Sequence, residues 1–180
     1  MQNFLLLFAL AYVAALFLAS AAGHIVRFRN FRLLIREHGI VPRASSGLFA
    51  AAVCGFELLA GAAALLSLGQ LVGQGIRIYV LAGAALAGAA FQFYVRQLLR
   101  RAGGATSCGC SPLSAPLTRA SLVPSIGVVG ISVCGLAAAG ALDRSPGWLP
   151  ALPCLWGLVF AGMTVLYPAA VLQLPGGRQA

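Results

Sequence analysis

Two cysteines separated by one glycine, Cys108-Gly109-Cys110, stand in the most polar stretch of an otherwise apolar chain. That stretch runs Gly103-Gly104-Ala105-Thr106-Ser107-Cys108-Gly109-Cys110-Ser111-Pro112. The thiolate is the nucleophile of thiol–disulfide exchange, and neighbouring cations favour it. Arg96, Arg100, Arg101 and Arg119 flank the pair, and no acid occurs between Glu57 and Asp143. A bond between Cys108 and Cys110 closes a small ring, and strained disulfides are the oxidising, labile ones. Gly109 is the residue best able to take the backbone angles of that ring. Redox exchange is the chemistry these residues suit best, with structural or incidental thiols second. Metal binding comes third, because structural zinc takes four N or S ligands and this loop offers two with no histidine nearby. Covalent haem attachment needs Cys-x-x-Cys-His, which is absent. No phosphate-binding loop, Ser/His/Asp set or carboxylate pair occurs either.

Something must hold this loop, and the composition says what. The 180 residues are 61% hydrophobic and 8% charged, whereas soluble chains carry about a quarter charged residues. All twelve cations are arginine, against Glu37, Glu57 and Asp143. A formal charge of +9 could suggest nucleic acid, but that requires a solvated basic face with interleaved aromatics. Here the arginines sit at the ends of apolar runs, where basic residues flank membrane spans. The chain is expected to be an integral membrane protein with the lipid bilayer as its surroundings and no nucleic-acid partner. Five cysteines cannot all pair within one chain. Cys54, Cys134 and Cys154 fall inside apolar runs, where cysteine usually behaves as a small hydrophobe.

Five spans are expected in order. Asn3 to Ala22 is about 20 uncharged residues, long enough to cross the hydrocarbon core. Ala19-Ser20-Ala21 resembles a cleavage site, but the amino-terminal region has no basic residue and the apolar part is too long for a signal peptide. A retained helix is expected. From His24 to Gly39, Arg27, Arg29, Arg32 and Arg36 alternate with Phe28, Phe31, Leu34 and Ile35. At helical spacing this makes a basic face and an apolar face, as in a helix lying in the interface; a charged loop enforcing topology is compatible with it. Gly39 and Pro42 supply stop signals.

The second span runs from about Ser46 to Leu68 and the third from Ile78 to Val95 between Arg77 and Arg96. Gly83, Ala87 and Gly88 in the third allow close approach between helices. The fourth span covers about Ala120 to Leu142, with Pro124 and several glycines. The fifth covers about Leu149 to Leu172, interrupted by Pro150, Pro153 and Pro168. The expected fold class is therefore all-α: a polytopic membrane bundle of four to five transmembrane helices plus an interfacial amphipathic helix, forming one domain over 1–180.

Near the middle of the second span stands Glu57. A carboxylate at bilayer depth costs several kcal/mol unless neutral or paired, so it should face the bundle interior. It is either a proton acceptor or polar anchor near the redox loop, or one half of a structural interhelical hydrogen bond. Arginine counting gives an orientation. Ten (Arg27, Arg29, Arg32, Arg36, Arg43, Arg96, Arg100, Arg101, Arg119, Arg178) fall on the side shared by the loops after spans one and three and by the tail, and two (Arg77, Arg144) on the other. The positive-inside tendency puts the amino terminus outside and the cysteine loop at the cytoplasmic face.

Three landmarks recur together: Gly39-Ile40-Val41-Pro42 closing a basic stretch, Glu57-Leu58-Leu59-Ala60-Gly61 in the second span, and Cys108-Gly109-Cys110 after the third. In this arrangement the chain resembles the MauE/DoxX family of redox-associated membrane proteins, over about residues 5 to 145. The resemblance implies a small DoxX-like helical bundle in the bacterial inner membrane. It implies a role in maturing methylamine dehydrogenase, with the enzyme's disulfide-rich small subunit as client. A thioredoxin-like periplasmic partner (MauD-like) would take part, and possible further partners are other membrane maturation proteins. Cys108 and Cys110 match the family's cysteine pair and Glu57 its second-span Glu. Ser111-Pro112 replaces the Phe-Gly that follows the pair in many relatives, and an arginine-rich segment around Arg27 replaces a frequent Lys.

A periplasmic partner and a cytoplasmic loop do not agree. A loop dipping into the membrane, or passage of electrons through Cys54, Cys134 or Cys154, would reconcile them. Two other functions stay open: a non-catalytic scaffold joining a maturation complex through small-residue helix faces, and a bundle binding a quinone or small molecule. No motif supports a quinone or any other cofactor.

Overall fold

Apolar runs of this length have one way to satisfy their backbone groups in lipid, which is the helix. The computed structural model describes residues 2–69, 71, 73–102, 122–140, 153, 155–161 and 163, with no strand among them. Its elements are α1 (Gln2–Val26), α2 (Phe28–His38), a 3-10 turn (Arg43–Ser45), α3 (Ser46–Leu68), α4 (Gln74–Ala102) and α5 (Val123–Gly140). Residues 155–161 are also helical. Phe4–Val26, Arg43–Leu68 and Gln74–Arg101 are long and apolar enough to cross a membrane; the apolar stretch Val123–Ala139 is shorter. At 1.5 Å per residue the 18 described residues of α5 cover about 27 Å of the ~30 Å hydrocarbon core. The remainder of the expected fifth span lies outside the described residues.

Charge did not end the third helix. It runs past Arg77 at one end and Arg96, Arg100 and Arg101 at the other, because arginine lowers hydropathy but is a good helix former. The basic stretch after span one divides in two. His24 to Val26 complete α1, Arg27 leaves helical geometry (φ −114, ψ 32), and α2 starts at Phe28. It ends on Gly39 in the left-handed region (φ 64), the αL cap for which glycine carries no Cβ penalty. Phe31 and Ile35 turn inward onto Ala50 and Cys54 of α3, while Arg29, Arg32 and Arg36 stay exposed. The amphipathic pattern is as expected, but part of its apolar face packs on protein.

The four long helices form a ring in the order α1, α3, α4, α5, with α1 also touching α4 across it. Half of the apolar window of α1 is buried, against 22% for α3 and 28% for α4, so α1 is the element the others pack around. Leu6, Leu10, Tyr12, Val13 and Phe17 of α1 meet Ala64, Leu81, Ala84 and Val128 in the main core. Small residues let the backbones close. A Cβ on Gly61 of α3 would lie 2.8 Å from Leu18 Cγ; on Gly135 of α5, 2.6 Å from Ala9 Cβ; on Gly88 of α4, 3.0 Å from Val129. Gly83, by contrast, has nothing within 4 Å, so the close-approach stripe expected on α4 works at Gly88 and not at Gly83. Helical residues 155–161 lie against α1, where Gly157 sits over Ala11 and Phe8, and Phe160 meets the Phe8 ring edge-on at 6.0 Å.

Opposite ends of the bundle differ. At one, Gln74 Nε2 donates to the Ala139 carbonyl (3.2 Å), tying the start of α4 to the end of α5. At the other, Val95 and Leu98 of α4 pack with Ile40 and Leu122, and the arginines of α2 and of the last turns of α4 gather there.

Candidate functional site

Ser20 and His24 stand one turn apart on α1, and both turn toward α3, where Glu57 is the single acid. Ser20 Oγ donates to Glu57 Oε1 at 2.8 Å. His24 Nε2 lies 3.7 Å from the same oxygen, within ion-pair reach when the ring is protonated and beyond a good hydrogen bond. The His24 and Glu57 side chains keep 6% and 13% of their surface exposed. Phe31 of α2 stacks on the imidazole, with centroids 3.8 Å apart and an interplanar angle of 19°. Glu57 Oε2 is buried and has no hydrogen-bond partner among the described residues.

Glu57 faces the bundle interior, as expected, and its hydrogen bond to Ser20 joins two helices, which is compatible with either of the two roles open to it. Burying a carboxylate without donors is costly, and the Ser20 hydroxyl is the donor that offsets this cost for Glu57. Chemically the hydrogen-bonded Ser20–Glu57 pair can hold a proton between α1 and α3, with the His24 imidazole close beside it. No sequence motif marks Ser20 and His24 as partners of Glu57. Their signal was present in the spacing: they are polar residues four apart near the end of an apolar span, facing a lone acid that needs a partner.

Cys54 is one turn before Glu57, buried beneath Phe31 and Ile35. Cys134 is on α5 and faces outward. Since α3 and α5 are diagonal in the ring and only one of the two thiols faces inward, the fold does not bring Cys54 and Cys134 together. Cys108, Cys110 and Cys154 lie outside the described residues. Leu122, beyond the cysteine segment in sequence, packs beside Val95 and Leu98 of α4, so the described residues on either side of that segment are at the arginine-rich end. There His38 Nδ1 and Tyr94 Oη are 2.6 Å apart, joining α2 to α4. No group of three or more possible metal-ligating side chains comes together among the described residues.

A groove of ≈ 310 Å³ runs between α3 and α4, lined by Phe56, Leu59, Ala60, Ile76, Tyr79, Val80 and Gly83. It is apolar, and Glu57 does not line it. A small-molecule function that relied on Glu57 would need a different opening.

Fold and site together define an all-α polytopic membrane protein with one buried carboxylate pinned between its first and second spans. The chain belongs to the MauE family, described as methylamine utilisation protein MauE, which it matches over residues 1–143. That makes it a membrane protein of a methylamine utilisation family. The matched region takes in Cys54, Glu57, Cys108, Cys110 and Cys134 and leaves out Cys154. No curated protein and no solved structure matches the chain.

Proposed function

We propose that the chain is an inner-membrane thiol–disulfide protein supporting disulfide formation in the small subunit of methylamine dehydrogenase, together with a thioredoxin-like, MauD-like partner. The family match carries this reading, because it spans the cysteine pair and Glu57 alike. Support also comes from the frame around the pair, where Val95, Leu98 and Leu122 pack against one another on either side of the segment.

In the exchange, a partner thiolate attacks one sulfur of a Cys108–Cys110 disulfide, giving a mixed disulfide and one free cysteine thiolate. The partner's second thiolate attacks its own sulfur in the mixed disulfide, and the other cysteine leaves. Two electrons pass from partner to pair; the partner ends as a disulfide and the chain, after taking up two protons, as a dithiol. One such turnover needs no further reagent.

Cys108→Ser and Cys110→Ser are expected to trap or abolish mixed disulfides with the partner, read on non-reducing gels after acid quenching. An unchanged partner redox state and full enzyme maturation in both variants would sink the proposal. The side of the loop is read separately, by labelling with a membrane-impermeant thiol reagent on intact and lysed cells. The arginine distribution favours labelling after lysis only and an outside amino terminus. Labelling of intact cells would reverse that orientation and favour direct exchange with the exported partner.

A further inference from the structure

The exposed side of α2 has no role in the thiol reading, and its residue pattern is specific. Successive residues of a helix are 100° apart, so Arg29, Arg32 and Arg36 fall within about 60° of one another. Phe28 and Leu33 border this stripe, each about 40° beyond an edge. Both remain open, at 36% and 40% exposure, and the three arginines are exposed. The stem of Arg32 lies beside Gly47 at the start of α3, where an added Cβ would be 3.4 Å from Arg32 Cδ. Glu37 is the only exposed acid among the described residues, so the stripe is not neutralised by its own fold. It lies where α1 ends, α3 begins and α4 runs out in Arg100 and Arg101, which is the depth of the headgroups.

We propose that this stripe binds anionic phospholipid headgroups: Arg29, Arg32 and Arg36 take the phosphates, while Phe28 and Leu33 enter the acyl boundary. The guanidinium fork matches phosphate oxygens two at a time, and the sequence uses arginine, never lysine, for all its cations. The apolar borders favour a lipid over an acidic protein, because an amphipathic helix in the interface offers these two chemistries side by side. Lipid seated on the stripe would also hold α2 in place over the buried site, since Phe31 of the same helix stacks on His24.

The test uses the purified full-length chain in detergent, given equal amounts of phosphatidylglycerol and phosphatidylcholine, with retained lipid read by native mass spectrometry. Selective retention of phosphatidylglycerol is expected. Each arginine near an anionic surface contributes about fivefold, so the triple variant R29Q/R32Q/R36Q should lose about 100-fold, and R77Q at the opposite end no more than about fivefold. The triple lysine variant, which keeps the charge and loses the fork, should still prefer phosphatidylglycerol but retain less of it than the wild type. Inorganic phosphate, which has no acyl chains, should not displace the lipid. Equal retention of both lipids by the wild type overturns the proposal by itself, whether or not any variant is stable. So does undiminished retention in the glutamine variant. Displacement by inorganic phosphate would make this a bare anion site, and arginine-dependent capture of an acidic protein without lipid preference would make it a protein interface.

Discussion

Glu57 shows what one ionisable side chain demands of its surroundings. A single acid in the second span was legible as an interior residue from the cost of exposing it to lipid. Its partners were not, because Ser20 and His24 are 37 and 33 positions earlier, and only the crossing of α1 with α3 brings them within reach. Ser20→Ala is expected to destabilise the bundle by about 0.6–1.7 kcal/mol, the range of hydrogen bonds between membrane helices. Glu57→Gln keeps an acceptor for Ser20 and should cost less than Glu57→Ala. Combining Ser20→Ala with Glu57→Ala should be no worse than Glu57→Ala alone, since a broken bond cannot be lost twice. Thermal unfolding in detergent, followed by helical circular dichroism, checks all three. Fully additive losses would mean that the hydroxyl and the carboxylate do not act on each other.

Among the elements, span existence and type were readable from apolar length alone, and α3 begins and ends where its hydropathy predicts. Boundaries set by charge were not readable, as α4 shows by continuing through its arginines. The sequence also could not say which small residues mark contacts, since Gly83 and Gly88 look alike until α5 lies against one of them. Gly88→Leu must push into Val128, Val129 and the Ser125 carbonyl and should destabilise by about 1–3 kcal/mol, as overpacking does. Gly83→Leu should stay within about 0.5 kcal/mol, as surface changes usually do. Equal effects of the two would contradict the α4–α5 packing. Tyr94→Phe removes the hydroxyl that meets His38 and is expected to cost about 0.5–1.5 kcal/mol. Faster amide hydrogen exchange in residues 28–38 would report the loosening of α2.

For the molecule as a whole, the class of fold follows from composition, and the gathering at one end of every described arginine but Arg77 follows from their positions along the chain, while the ring order follows from packing that no local pattern encodes. The positive-inside tendency turns that asymmetry into an orientation that can be tested. A periplasm-active reporter placed after Gly73, in the turn away from the arginine-rich end, should be active, and one placed after Pro42 should not. The central position of α1 also bears on how the protein is made. Synthesised before α5, α1 offers Ala9 to Gly135, a residue that emerges more than a hundred positions later. At about 5–20 residues per second that is a wait of roughly 6–25 s, during which one side of α1 has only lipid or an insertion factor for company. The α1–α2–α3 unit can close on itself in the meantime, and α4 with α5 forms the second half. A chain severed in the short turn between α3 and α4 should therefore reassemble when its halves are co-expressed, and the Gly135→Leu half should fail to join.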